Sequence, residues 1–244
     1  IVLGNFDDDT HLDMAYVQTQ FTSPSASYVK IFNGDGAGGF GDGPTANFPR
    51  QTFQVTASGT SFFSESASSG DLNGDGIDDI VVADPKDDFV DVLVGTTDGI
   101  YVFFGNGMGS FPTVVTVRNA STDNYGDGNA AYSVGDLNGD GLTDIGGTGV
   151  YFLNAGSKTF TEFSYTVPYD SEAGGPSLSA MGNFDGYDGK DLAVLFLEHF
   201  RGGLAFLSDQ RRNPTDSPRL SCGRWFQPAE GSLGGGGPGR RRRG

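Results

Sequence analysis

The chain has 244 residues and a formal net charge of −16, with 31 acidic and 15 basic side chains. An acidic surface repels phosphate backbones, so this balance excludes nucleic acid as an expected partner and favours divalent cations. The composition of 40 Gly, 20 Phe and 9 Tyr favours short strands joined by tight turns, which predicts an all-β fold. The longest apolar runs, such as residues 192–197, fall far short of the roughly 20 residues of a membrane helix, so no membrane span is expected.

One acidic segment recurs four times along the chain, as residues 3–15, 69–81, 134–146 and 181–193. The second copy reads Ser-Gly-Asp-Leu-Asn-Gly-Asp-Gly-Ile-Asp-Asp-Ile-Val. The steps between the copies are 66, 65 and 47 residues when they are anchored on Asn5, Asp71, Asp136 and Asn183. Each step equals or exceeds the roughly 40 to 50 residues of a four-stranded propeller blade, so each repeat has room for one blade.

Within a repeat the pattern predicts a strand, the acidic loop, an apolar strand, a turn, an aromatic strand and an outer strand. A Gly/Asn-rich turn follows the aromatic strand in the first three repeats, and these turns end at Phe40, Phe111 and Phe160. Because sheet faces must be buried, we expect these three rings to pack between neighbouring blades.

The Gly-Asp-Leu-Asn-Gly-Asp-Gly-x-x-Asp-Ile segments and the Phe-x-Asn-Gly-x-Gly-x-Phe turns resemble FG-GAP/VCBS repeats, as in integrin α-subunit propellers and many secreted microbial proteins. The resemblance covers roughly residues 1–207. It implies a β-propeller, commonly of seven four-stranded blades, with calcium in the blade loops and recognition on one face. The sequence holds about four blades, the last incomplete. It therefore represents either a fragment of such a propeller or blades that assemble with others.

Copies two and three carry the pattern of a calcium loop. Calcium takes six to eight oxygen ligands, which a short, sharply turning loop supplies through alternate polar side chains and a backbone carbonyl. Counted from the anchor residue, positions 1, 3, 5 and 9 are the predicted side-chain ligands, and position 7 offers its carbonyl. These residues are Asp71, Asn73, Asp75, Ile77 and Asp79 in copy two, and Asp136, Asn138, Asp140, Leu142 and Asp144 in copy three.

Copies one and four depart from this pattern to different degrees. Copy one lacks the glycine at position 6 but keeps all five ligand positions, which predicts a third calcium loop formed by Asn5, Asp7, Asp9, His11 and Asp13. Copy four has Asn183, Asp185 and Asp191 in place, but Tyr187 stands at position 5 with Asp188 beside it, so its site is either weak or vacant.

Two other structures use similar acidic residues. An EF-hand needs a glutamate at loop position 12 and flanking helices, whereas Val82 and Gly147 hold that position here. Asx turns without metal would use the same residue types and stay open as an alternative.

Catalysis is not expected, because His11 and His199 are the only histidines and neither belongs to a recognisable nucleophile arrangement. The leading hypothesis is a calcium-binding recognition or adhesion module for a protein or carbohydrate ligand. The alternatives are an accessory or scaffold domain of a secreted enzyme, such as a polysaccharide-degrading enzyme, and a structural surface protein that self-associates through its blades. All three place the protein outside the cell or on its surface.

The end of the chain differs from the rest, which divides it into blades over residues 1–209 and an atypical segment over residues 210–244. Residues 1–200 carry 28 acidic and 6 basic side chains, whereas residues 201–244 carry 3 and 9. Strand alternation also stops near Gln210. The segment is interpreted as either a basic disordered tail or the product of a reading-frame error. Its Cys222 is the single cysteine, so no internal disulfide can form.

Overall fold

A computed structural model describes residues 1–20, 26–41, 51–54, 66–84, 99–119, 132–147, 149–165, 177–184, 186, 189–198 and 201–207. Within these ranges the chain forms fifteen β-strands and no helix, which confirms the all-β prediction. No helix in this part of the chain could cross a membrane. The segment 210–244 and residues Asp185, Tyr187, Asp188 and His199 lie outside the described residues.

The strands form four antiparallel sheets, one for each copy of the repeat, with the strands of each sheet in chain order. Sheet one contains β1 (Val2–Gly4), β2 (Asp13–Gln20), β3 (Ala26–Phe32) and β4 (Gln51–Gln54). Sheet two contains β5 (Ser66–Gly70), β6 (Asp79–Asp84), β7 (Gly99–Phe104) and β8 (Thr113–Asn119). Sheet three contains β9 (Ser133–Gly135), β10 (Asp144–Gly147), β11 (Val150–Asn154) and β12 (Phe160–Ser164). Sheet four contains β13 (Ser177–Gly182), β14 (Asp191–Glu198) and β15 (Arg201–Leu207).

Successive sheets lie side by side through their first strands. Strand β1 contacts β5, β5 contacts β9, and β9 contacts β13. Four-stranded antiparallel sheets that follow one another in this way are consistent with propeller blades.

The hydrophobic core is divided into three clusters, one between each pair of neighbouring sheets. The first cluster joins Phe6 and Ile31 of sheet one to Ile80 and Phe103 of sheet two. The second lies between sheets two and three, and the third between sheets three and four. Burial of each such side chain contributes about 1.5–3 kcal/mol, so the sheets are held together mainly by the faces they share.

The three turn-closing phenylalanines differ in burial. Phe111 is buried and packs edge-to-face on Phe6, with the ring centroids 6.0 Å apart. Phe160 packs against the second cluster. The prediction was wrong for Phe40, which is 37% exposed. Phe111 and Phe160 pack against the preceding sheet, whereas the described residues include no sheet before that of Phe40.

Candidate metal centre

Each acidic loop joins the first and second strands of its sheet, so β-strands flank it on both sides. The EF-hand alternative is thereby excluded for this chain. The loops share a left-handed residue at position 4: Asp8 (φ 64°), Gly74 (φ 81°), Gly139 (φ 71°) and Gly186 (φ 83°). Glycine adopts such angles without strain and aspartate tolerates them better than most residues, so the four loops turn alike at this point.

In copies two and three, the side chain at position 1 organises the loop. The Asp71 carboxylate accepts hydrogen bonds from the amides of Gly74 at 2.6 Å and Gly76 at 2.8 Å. The Asp136 carboxylate likewise accepts from the amides of Asp140 at 3.0 Å and Gly141 at 2.9 Å. These bonds curl the backbone around the position 1 carboxylate.

Positions 3 and 5 continue the same pattern in the two loops. The Asn73 side-chain oxygen accepts from the Asp75 amide at 3.0 Å, and the Asp75 carboxylate accepts from the Ile77 amide at 2.9 Å. In copy three, Asn138 also donates through its amide group to the Asp140 carboxylate at 2.8 Å. The oxygens predicted as ligands therefore form Asx turns in both loops.

The aspartate at position 9 connects each loop to the rest of its sheet. One oxygen of Asp79 accepts from the Leu72 amide of the loop at 2.9 Å, and the other accepts from the Gly105 amide after β7 at 2.8 Å. Asp13 and Asp144 make the same pair of bonds in sheets one and three. In sheet four, Asp191 accepts from the Phe184 amide at 2.6 Å. We call the residue at position 9 the clasp aspartate, because its carboxylate joins the loop to the rest of the sheet. It is also a predicted ligand.

Burial strongly affects the pKa of two of these clasp aspartates. Asp79 and Asp144 are both 0% exposed. Loss of hydration penalises the ionised carboxylate, which raises the pKa of each to about 7 even though the backbone N–H bonds oppose the shift. The acidic side chains of the same loop raise each pKa further. A cation at the loop would stabilise the ionised carboxylates. It would thereby offset both the loss of hydration and the repulsion from the other acidic side chains.

Copy one brings its carboxylates together most closely. One oxygen each of Asp7, Asp9 and Asp13 lies within 4.8 Å of the others, and no second group of three His, Cys, Asp or Glu side chains in the described ranges meets this criterion. Like charges at such separations repel in the absence of a counter-ion. Copy one lacks the glycine at position 6, yet its three predicted carboxylate ligands still lie close together.

Two asparagines, one in this loop and one in the turn after β3, have buried side-chain atoms that bear on the site. Asn33, which follows β3 and is 7% exposed, donates through its side-chain amide to the Asp7 carboxylate. The side-chain oxygens of Asn5 and Asn33 are buried, and these are the two buried side-chain polar atoms in the described part of the chain that have no hydrogen-bond partner. A buried oxygen without a partner costs about 1–3 kcal/mol, which a bound cation would offset.

Asn33 was missed by the sequence analysis. It lies 20 residues beyond Asp13, in the Gly/Asn turn after the third strand. The turn was recognised as a repeat landmark, but nothing in the sequence indicates that its asparagine reaches the loop.

His11 contacts the cluster from the exposed side. Its ring Nδ1 lies 3.2 Å from the Asp9 carboxylate, and its backbone amide donates to the same carboxylate at 2.6 Å. The sequence analysis predicted only a carbonyl ligand at this position, and the ring contact adds an ion pair when the imidazole is protonated.

Copy four is only partly described. Asn183 is exposed, and its side-chain oxygen accepts from the Gly186 amide at 2.6 Å. Asp191 is buried and closes the loop as in the other copies. Asp185 and Tyr187 lie outside the described residues, so the prediction of a weak or vacant site stays a prediction.

The donor set of copy one fits a hard divalent cation. Three carboxylates and two buried amide oxygens are available within one loop and its neighbouring turn, and calcium prefers ligands of this kind. The fold and the site together define a class, that of repeat β-sheet proteins with acidic loops between the first two strands of each sheet.

Comparison with known proteins finds a distant relative. The chain is a distant homologue of integrin alpha-PS5 of Drosophila melanogaster, with 30% identity over a 149-residue alignment that covers 54% of this chain. It spans only 15% of the length of that relative. No protein-family model matches the sequence. This distant homology supports the resemblance of the sequence repeats to those of integrin α-subunits.

Proposed function

We propose that this chain is a calcium-binding recognition or adhesion module of the extracellular space or the cell surface. In this proposal its sheets are blades of a propeller of the FG-GAP/VCBS type, calcium stiffens the loops, and a protein or carbohydrate ligand binds loops on one propeller face. The observation that carries the proposal is the grouping of Asp7, Asp9 and Asp13 within 4.8 Å, in a loop that together with its neighbouring turn holds two buried amide oxygens without a hydrogen-bond partner. The distant homology to an integrin α-subunit supports the adhesion role.

The calcium would be held by the odd-numbered positions of each loop. In copy one these are the side chains of Asn5, Asp7, Asp9 and Asp13, with the carbonyl of His11. Copies two and three offer the equivalent residues. The ion would neutralise mutually repelling carboxylates, so its binding should stabilise the folded loop.

Calorimetric titration of the full chain with calcium tests the metal part of the proposal. We expect saturable binding at more than one site, and Asp9→Asn should remove one site. The matched control is Glu162→Gln, which makes the same change in charge on the exposed strand β12. If the wild-type chain releases or absorbs no heat, and equilibrium dialysis also detects no bound calcium, the loops are Asx turns alone and the proposal is wrong.

Arrays of glycans and of extracellular-matrix proteins test the recognition part. The full chain should bind a defined subset of the array in calcium and lose that binding in excess chelator. Binding that is unchanged by the chelator would separate recognition from the metal loops. A chain that binds calcium but no member of either array would contradict the adhesion role while leaving the metal sites in place.

A further inference from the structure

We infer that Asn33, in the turn after β3, is a further ligand of the cation in the loop of copy one. The inference rests on the calcium-binding function proposed above and adds to it a ligand from outside the acidic loop. Three observations carry it: the hydrogen bond between Asn33 and the carboxylate cluster, the buried oxygen of the same side chain, and the residue types at the equivalent positions of sheets two and three.

Strand pairing defines which residues are equivalent to Asn33. In each of the first three sheets, the residue after the clasp aspartate pairs with an aromatic residue near the end of the third strand. The residue that follows this aromatic is Asn33 in sheet one, Phe104 in sheet two and Leu153 in sheet three. The amide of the next residue binds the clasp aspartate in all three sheets, which confirms the alignment.

The packing of the sheets does not require a polar side chain at this position. Phe104 is fully buried in the cluster between sheets two and three, and Leu153 packs against the cluster between sheets three and four. Strand alternation places Asn33 on the face of sheet one that carries Ile31 of the first cluster. A buried amide among apolar side chains costs free energy unless its polar atoms have partners. Asn33 therefore needs a reason other than packing.

The side-chain amide of Asn33 touches the carboxylate cluster. Its Nδ2 donates to Asp7 at loop position 3, while its Oδ1 is buried and has no hydrogen-bond partner. Half a turn about the last side-chain bond exchanges these two atoms, so either can face Asp7. An amide oxygen beside a carboxylate oxygen is unfavourable on its own, but it suits a hard cation that both oxygens can bind. With the ion present, Asn33 presents its oxygen, which is thereby no longer without a partner.

Copy one also differs from copies two and three within the loop. Copies two and three have aspartate at position 1 and asparagine at position 3, and copy one has the reverse. The carboxylates of Asp71 and Asp136 at position 1 accept several amides of their own loops. The side-chain oxygen of Asn5, at position 1 of copy one, has no hydrogen-bond partner. In copy one the carboxylate of Asp7 at position 3 receives the amide of Asn33 from the turn instead.

Calcium titration of Asn33→Leu in the full chain tests the inference. Leucine is the residue at the equivalent position of sheet three, and it has nearly the shape of asparagine. We expect the calcium affinity of one site to fall about 10- to 100-fold, the usual cost of losing a residue that supports a metal site. In the Asp9→Asn background, which already lacks the site of copy one, Asn33→Leu should change no affinity.

Thermal melts in excess chelator separate a ligand from a structural residue. Asn33→Leu removes a buried oxygen without a partner, and Asp7 is only partly buried, so water can replace the lost donor. The calcium-free melting temperature should therefore stay the same or rise. Asn154→Leu is the matched control, because this buried amide donates to the Leu72 and Thr143 carbonyls. Its loss should lower the melting temperature by several degrees.

Asn33→Asp distinguishes a ligand from a hydrogen-bond donor. An ionised aspartate cannot donate to Asp7, but it offers a charged oxygen to the cation. If Asn33 is a ligand, we expect the affinity of this site to rise about 10-fold, since ligand charge tunes calcium affinity. The calcium-free melting temperature should fall, because a fourth carboxylate joins the cluster. If Asn33 serves only to hold Asp7, the same change lowers the affinity.

The outcomes separate this inference from the proposed function. A wild-type chain that binds no calcium would defeat both. Calcium binding that neither Asn33 variant alters, or a lower affinity in Asn33→Asp, would overturn the inference and leave the proposed function in place. A lower calcium-free melting temperature in Asn33→Leu would also overturn it, since the side chain would then be structural. If Asn33→Leu loses its near-ultraviolet circular dichroism, the affinity of Asn33→Asp decides.

Discussion

Asn5 and Asp78 bind each other reciprocally across the boundary between sheets one and two. The Asn5 amide donates to the Asp78 carboxylate at 2.8 Å, and the Asp78 amide donates to the Asn5 carbonyl at 2.8 Å. Gly4 makes this approach possible, because a Cβ at that position would lie 2.7 Å from an Asp78 oxygen. The first residue of one acidic loop is thus joined directly to the loop of the next repeat.

Replacement of Asp78 should show how much its side-chain hydrogen bond contributes to stability, because the backbone hydrogen bond does not depend on the side chain. We expect Asp78→Ala to lower the free energy of unfolding by about 1–2 kcal/mol, because it leaves the Asn5 amide without an acceptor. Asp78→Asn retains an acceptor and should cost less. Urea denaturation of the two variants beside the wild type gives the comparison, and equal losses for alanine and asparagine would show that the hydrogen bond is not the source of the effect.

The clasp aspartates predict how the stability of the calcium-free protein depends on pH. The pKa of Asp79 and of Asp144 is about 7 in the folded protein against an ordinary value of 3.8, so the folded state holds more protons between these values. The free energy of unfolding should therefore fall as pH rises from about 4 to 7, by at most about 1.4 kcal/mol per pH unit for each group.

Denaturation at pH 5 and pH 7 in excess chelator measures this effect. Because other carboxylates also titrate, the informative quantity is the difference between wild type and Asp79→Asn, or between wild type and Asp144→Asn. Each variant should lose part of the gain in stability at pH 5. A variant with the same pH dependence as the wild type would show that its aspartate is ionised throughout this range.

Chelation should lower the melting temperature of the full chain markedly. A ligand at 100 times its dissociation constant stabilises the folded state by about 2.7 kcal/mol per site, and the loops hold clustered carboxylates that gain most from the ion. Differential scanning calorimetry in calcium and in excess chelator measures the shift, and Asp9→Asn should reduce it. Superimposable melting curves under the two conditions would contradict calcium binding.

Gly74 tests the requirement for a left-handed residue at loop position 4. Its φ is 81°, and a Cβ placed there would meet no atom within 4 Å, so any cost of substitution comes from the backbone alone. We expect Gly74→Ala to lower the free energy of unfolding by about 1–2 kcal/mol. Gly74→Asn should cost less, because asparagine tolerates this conformation better. Thermal melts of both variants provide the measurement, and a neutral Gly74→Ala would mean that the loop adopts another turn.

Much of the fold could be predicted from the sequence because its determinants are local. The positions of the loops, the strands on either side of them and the correspondence of one sheet to each repeat follow from a pattern that spans nine residues around each of Asn5, Asp71, Asp136 and Asn183. Asx turns and tight glycine turns form among neighbouring residues, so their sequence signature is reliable.

The candidate site could be predicted only in part. The second contact of each clasp joins residues far apart in sequence, as between Asp79 and Gly105, and the place of Asn33 beside Asp7 depends on how two strands pair. The exposure of Phe40 depends on which sheet it belongs to, although its turn begins with Asn and ends in Phe like those of the next two repeats. None of these follows from a single repeat, because each repeat carries the same local information.

The sequence by itself determined the chemistry of this protein: short strands, acidic loops at fixed offsets and a surface that attracts cations, since charge and turn propensity are properties of neighbouring residues. Tertiary structure alone decided which carboxylates approach within reach of one ion, which of them are buried with a raised pKa, and which aromatic rings are covered. Those outcomes depend on how each loop folds and on contacts between strands and between sheets, where hydrophobic burial joins segments that lie tens of residues apart in the chain.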